Sequence, residues 1–156
     1  MAEIRRMLVA IDFSDLSPMV MDYARTLAIA LRARLLVVHI VYDLSYFTGA
    51  YSTDVPLPEL QQRLESEARE HLEELCQTEL GNTVAYETLV VTGRPVAEIN
   101  RVVREYGIDC LIIGAHSTDK PEHQLFGCTA ERLFHQTYCP VLMIPPPKSS
   151  EIITEG

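Results

Sequence analysis

The chain has no run of basic residues, no C-x-x-C pair, no G-x-S-x-G turn and no apolar stretch of membrane-spanning length. Each absence removes a class of function. Thirteen Lys and Arg stand against twenty-two Asp and Glu, a formal net charge of −9, which repels nucleic acid and anionic lipid. Neither nucleic acid nor a membrane is therefore expected as a partner. A spanning helix needs roughly 20 apolar residues, and the opening MAEIRRMLVAIDFSD turns acidic too soon for a signal peptide. A cytoplasmic protein is expected. Cys76, Cys110, Cys128 and Cys139 are scattered, which points to reduced thiols, some of them core packing, rather than a disulfide framework. With no nucleophile elbow and no acid–base pair aimed at one point, catalysis has no residue to carry it.

What is present is a regular alternation. At 156 residues and 47% hydrophobic, the chain is the size of one domain with a real core. RRMLVAI (5–11), RLLVVHIV (34–41), TVAYETLVV (83–91), DCLIIG (109–114) and PVLMI (140–144) are short, nearly continuous apolar runs, the pattern of strands buried on both faces. Between them lie helical periodicities. Val20, Ala24, Leu27, Ala28 and Leu31 mark a helix over 18–33, with Ser17 as its N-cap and Pro18 in its first turn. Pro58 opens a long helix carrying Leu60, Leu64, Ala68, Leu72 and Leu75 and stopping at Gly81. Helices over 95–107 and 127–137 complete a βαβαβαβαβ order. That order predicts one doubly wound α/β domain over 1–145, a five-stranded parallel sheet with helices on both faces. The tail, 146–156, is expected to be mobile.

Ligands of such sheets collect beyond the carboxyl ends of strands, where the strand order reverses. Strand one ends at Asp12, whose carboxylate can accept from a ribose hydroxyl or an exocyclic amine. Strand four ends at Gly114, which starts GAHSTDKPEHQLFGCT (114–129). A glycine-bordered loop running into a helix N-terminus can offer N–H groups to phosphate. With the order 3-2-1-4-5 the two meet in one crevice. A capping role for Asp12 in the loop that follows it is the plainer alternative.

Several of these pieces resemble the universal stress protein family: MLVAIDFSDLS, LLVVHIV, VTGRPVAEI, DCLIIGAHS and GCTAERLFHQTYCPVLMI. The resemblance covers about residues 4–145. It implies the 3-2-1-4-5 sheet and a small, dimeric cytoplasmic protein. Members that bind ATP carry G-x2-G-x9-G-[ST]; here the spacing is kept as Gly114, Ser117, Gly127 and Cys128. The resemblance places Asp12 against adenine or ribose and Ile40 in the base pocket. It assigns Gly114, His116, Ser117, Gly127, Cys128 and Thr129 to the phosphate side. Ser117 restricts the close backbone approach that glycine permits, and Cys128 offers only a weak S–H donor. Losing one good donor to a charged phosphate costs roughly 1.5–3 kcal/mol, so the resemblance implies a weakened site for ATP or AMP, with Mg only alongside ATP.

Other constellations are weaker. His116, His123, Cys128 and His135 match no compact zinc spacing, so no metal is expected. His39, inside an apolar strand, reads as a buried neutral imidazole bonded to backbone. Ser14, Ser17, Ser117 and Thr129 are not distinguished from capping residues. The connector 42–56, with Tyr42, Tyr46, Phe47 and Tyr51, is long enough for a lid or binding loop, although such aromatics often only pin a loop. The apolar edge strand, Val141–Ile144 within PVLMI, fits a two-fold pairing with its copy, as the resemblance implies. Two other readings stay open: a nucleotide-independent interaction module using loops 42–56 and 115–126, and a slow ATPase.

Overall fold

A computed structural model of the chain describes residues 1–47, 54–115 and 124–147, apart from the side chains of Phe47 and residues 124–129. The elements follow the expected alternation: β1 (Arg6–Ala10), α1 (Ser17–Leu31), β2 (Arg34–Val41), a single 3-10 turn (Leu44–Phe47), α2 (Leu57–Glu79), β3 (Tyr86–Thr92), α3 (Pro95–Glu105), β4 (Cys110–Gly114), α4 (Gln124–Gln136) and β5 (Val141–Ile144). All five strands are parallel, in the order β3-β2-β1-β4-β5. The doubly wound fold and the strand order are thus as expected.

Side chains alternate across each strand, and both sets are apolar, so both faces need cover. Met7, Val9, Leu35, Val37 and Ile112 pack with Val20, Ala24 and Ala28 of α1 and Leu72 and Cys76 of α2. Leu8, Ala10, Leu36, Val38, Leu111 and Ile113 pack on the other face with Ile99, Val102 and Val103 of α3 and Ala130 and Leu133 of α4. Each fully buried Leu, Ile or Val contributes roughly 1.5–3 kcal/mol of transfer free energy. Among the cysteines whose side chains are described, Cys76 and Cys110 are buried, Cys139 is half-buried, and all three are free thiols.

Three local expectations are corrected. Ser17 is not the N-cap of α1. That position is Leu16, without a side-chain cap bond, and the buried Ser17 hydroxyl instead donates to Asp12 Oδ1 at 3.4 Å. β3 starts at Tyr86 rather than 83, because Thr83 closes a turn on the end of α2 through two bonds to the Leu80 carbonyl, from its N–H at 3.1 Å and its hydroxyl at 2.6 Å. Gly127 lies inside α4, which begins at Gln124, and so does not open the helix.

Candidate functional site

The tip of β1 is a sequence of short turns. Asp12 Oδ1 accepts the Ser14 N–H at 3.0 Å, and Ser14 Oγ accepts the Leu16 N–H at 3.4 Å. These Asx- and Ser-type turns carry the chain from β1 into α1. They also place Phe13 at φ 59°, a left-handed conformation unusual for a bulky residue. The conformation turns the ring onto the α2 side of the sheet. There it lies between two imidazoles, His39 of β2 at 4.2 Å between centroids and His71 of α2 at 4.1 Å and nearly parallel.

His39 Nδ1 is 2.7 Å from the Ile11 carbonyl. A carbonyl only accepts, so Nδ1 carries the proton and the neutral ring keeps Nε2 as an acceptor. Burial is the main influence on His39 and holds its pKa below the usual imidazole range, against the bond to Ile11 and the charge of Asp12, which both raise it. The expected neutral, backbone-bonded histidine is present, but it is half-buried in a cavity wall rather than buried.

These groups line a cavity of about 610 Å³ beyond the carboxyl ends of β1 and β2, with Asp12, Phe13, His39, Ile40, Glu67 and His71 among its walls. Its outer wall is fixed by Gln61 of α2. The Gln61 Oε1 accepts the Leu44 N–H at 2.9 Å, and its Nε2 donates to the Tyr42 carbonyl at 3.2 Å. Tyr42 lines the cavity, and burial raises its phenol pKa. Tyr46 packs under the Arg94 guanidinium at 4.7 Å. The described start of the long connector is therefore pinned to the body.

Of the residues read as a site, Asp12 and Ile40 share this cavity. Among the described residues Gly114 is not in its lining, and the strand tips that line it are those of β1 and β2. Gly114 has a packing reason of its own: a Cβ there would sit 2.9 Å from Leu16 Cδ2 and 3.1 Å from Val20 Cγ2. His116 and Ser117 lie outside the described residues, as does most of loop 115–126. Gly127, Cys128 and Thr129 fall within α4, with side chains outside that description. The sequence reading missed Phe13, Glu67 and His71. The usable signal was helical phase, since Glu67 and His71 flank the inward Ala68 and Leu72 one turn apart. Among the described residues no cluster of His, Cys, Asp or Glu could hold a metal ion, and no helix is long and apolar enough to cross a membrane.

A model of the universal stress protein family matches residues 3–145. The chain belongs to the universal stress protein family. Universal stress protein YxiE of Bacillus subtilis is 28% identical over 144 residues, covering 89% of this chain and 97% of that protein. Universal stress protein A homolog 1 of Coxiella burnetii is 31% identical over 143 residues, covering 90% and 95%. The fold matches the solved universal stress protein UspA from Lactobacillus plantarum, with TM-score 0.74, 23% identity and coverage of 92% and 99%. It also matches an Archaeoglobus fulgidus universal stress protein solved in complex with dAMP, at TM-score 0.61, 19% identity and coverage of 92% and 99%. A universal stress protein solved in complex with cAMP matches at TM-score 0.59, 19% identity and coverage of 92% and 98%. In this universal stress protein, the turn that follows β1 and the tip of β2 build the cavity described above.

Proposed function

We propose that this universal stress protein holds an adenine nucleotide with its base end in the β1/β2 cavity, and acts by binding rather than by catalysis. The observation that carries the proposal is that Asp12 and Ile40, far apart in sequence, line one cavity of about 610 Å³. That volume is ample for a nucleoside and falls within the roughly 300–1,000 Å³ typical of small-molecule sites. The walls suit a base. Phe13 and the imidazoles offer aromatic surface, Ile40 and Ile99 apolar surface, and the neutral His39 an acceptor. The dAMP and cAMP complexes of fold neighbours support the ligand class. In this reading the phosphates face the 114–129 stretch, where Gly114, His116, Ser117, Gly127, Cys128 and Thr129 keep the family spacing but lose two of its donor features. Mg enters only with ATP. The protein works in the cytoplasm as part of a stress response and dimerises through β5.

Calorimetric titration with AMP and with ATP·Mg tests the reading. Binding of either that weakens at least about tenfold in Asp12→Ala, as expected for a lost charge-assisted contact, supports it. No heat and no thermal shift at millimolar concentration of both nucleotides would sink it. Phosphate release by the wild type above that of Asp12→Ala would replace the non-catalytic reading with a slow ATPase. One observation favours a second reading, a nucleotide-independent interaction module: Asp12 Oδ1 already serves its own turn. In that case Asp12→Ala alters stability alone.

A further inference from the structure

β3 forms one edge of the sheet. Among the described residues it pairs only with β2. The Leu35 N–H bonds to the Ala85 carbonyl at 3.0 Å, and the Gly93 N–H bonds to the Val41 carbonyl at 2.9 Å. A parallel ladder engages alternate residues of each strand. The inward set on β3 is therefore 85, 87, 89, 91 and 93, and the backbone N–H and C=O groups of Tyr86, Thr88, Val90 and Thr92 face outward. Exposed sheet edges are normally blunted by charged side chains, above all lysine, by proline, by bulges or by shortness. β3 has seven residues, YETLVVT, with Glu87 as its single charge and no proline, glycine or lysine.

A recess of about 540 Å³ runs along this edge and is lined by four consecutive residues, Tyr86, Glu87, Thr88 and Leu89. Successive side chains point to opposite faces, so only a slot along the strand's open edge touches all four. Glu73 of α2 walls one side, and Tyr106, at the end of α3, walls the other. A smaller cavity of about 170 Å³ also reaches Glu87 and Tyr106, and it contains Arg6 and Arg34. The two arginines are register partners on β1 and β2. Arg6 Nη1 donates to the Tyr106 carbonyl at 2.9 Å. Among the described residues neither guanidinium is in an ion pair, although the chain carries a net charge of −9. The Asp109 carboxylate is turned onto the backbone N–H groups of Arg5 and Arg6, at 2.8 and 2.9 Å, and the Arg6 charge acts on it without a direct ion pair.

We infer that the β3 edge is a strand-addition site for an extended peptide with an acidic end, whose carboxylates meet Arg6 and Arg34. The peptide backbone pairs with the outward groups of Tyr86, Thr88, Val90 and Thr92, the usual source of affinity when a strand is added to a sheet. The arginine pair selects charge and fixes which end of the peptide lies there. Glu87 in the same recess opposes an acidic guest and limits its affinity.

The probe is an acetylated heptapeptide of alternating Thr and Val ending in two aspartates with a free carboxylate, titrated into the full chain. The expected result is saturable binding with slowed hydrogen exchange at the amides of Thr88, Val90 and Thr92. An amidated peptide ending in two asparagines binds about tenfold or more weakly, as does the acidic peptide to Arg6→Gln/Arg34→Gln. Glu87→Gln strengthens binding of the acidic peptide and leaves the amidated one unchanged. Thr88→Pro removes an outward donor and spares the inner ladder, so it abolishes binding while the thermal transition is kept. Failure of the acidic peptide to protect β3 at millimolar concentration, or indifference to the arginine substitutions, overturns the inference. A self-association that Thr88→Pro abolishes, with no peptide binding, overturns it in favour of edge pairing between copies. Nucleotide titrations are independent of every one of these outcomes.

Discussion

The tips of β1 and β4 are neighbours in the sheet, both end in residues that look made for a ligand, and they are built differently. At the β1 tip the polar group is half-buried in a cavity wall. Asp12 sits on a cavity, held by its own turn, and the next residue is in a left-handed conformation with its ring between two imidazoles. At the β4 tip the residue is a glycine because α1 leaves no space, with Leu16 and Val20 against the missing side chain. Two residue types associated with nucleotide sites thus answer to different demands. The carboxylate shapes a turn and a cavity wall, and the glycine lets a helix close on a strand.

The largest effect should come from filling the β4 tip. Gly114→Val forces branched atoms into Leu16 and Val20 and should cost about 3 kcal/mol, with Gly114→Ala near the lower end of the roughly 1–3 kcal/mol range for overpacking. Urea denaturation checks both. A loss of nucleotide binding without loss of stability would instead mean that the phosphate role of Gly114 outweighs its packing role.

At the β1 tip the contrast is conformational. Phe13→Ala removes the ring but keeps the left-handed strain, which costs an L-residue roughly 1–2 kcal/mol. Phe13→Gly removes both. Phe13→Gly should therefore be more stable than Phe13→Ala by about 1 kcal/mol, the reverse of their order in a helix. Equal stability would mean that the turn relaxes once the ring is gone.

Asp12→Ala removes a turn-forming acceptor and should lower stability by about 1 kcal/mol. Asp12→Asn, which keeps a carbonyl acceptor for the Ser14 N–H and Ser17 hydroxyl, should recover most of that. If Asn restores stability but not nucleotide affinity, the two roles of Asp12 separate.

The smallest effect is a pH slope. His39 has a folded-state pKa below its unfolded value because burial disfavours the charged ring. The unfolded chain therefore binds the proton first. The contribution is intact above about pH 6.5 and is lost as pH falls toward the folded-state value. Chemical denaturation between pH 7 and 5 should show this slope, flattened in His39→Gln. A slope unchanged in that variant would place its origin elsewhere.

Much of the fold was legible because each strand is a short apolar run and each helix has a clear stripe. The family resemblance supplied the strand order, which periodicity cannot. Ser17 was misread because an N-cap serine and a buried first-turn serine look alike in sequence; only the proximity of Asp12 decides where the hydroxyl goes. The site was half legible. Asp12 and Ile40 are strand-tip positions, which topology singles out. Phe13, Glu67 and His71 meet only because a left-handed residue turns one ring toward a helix more than fifty residues away, a convergence that no local spacing encodes. Gly114 has a packing demand that the sequence does not separate from a phosphate role, because steric and functional glycines are written with the same letter.

The Gln61 amide has a consequence for how this connector can vary. By gripping the Tyr42 carbonyl and the Leu44 N–H, it imitates a neighbouring peptide group and anchors the chain at these two residues. Insertions or deletions within 48–53 should then leave the cavity wall in place, since each doubling of a loop's length costs only about 0.6 kcal/mol. In a Gln61→Ala background the same length changes should reach Tyr42. Comparing ligand affinity across a short series of loop lengths in both backgrounds would show whether one amide decouples the connector from the cavity wall.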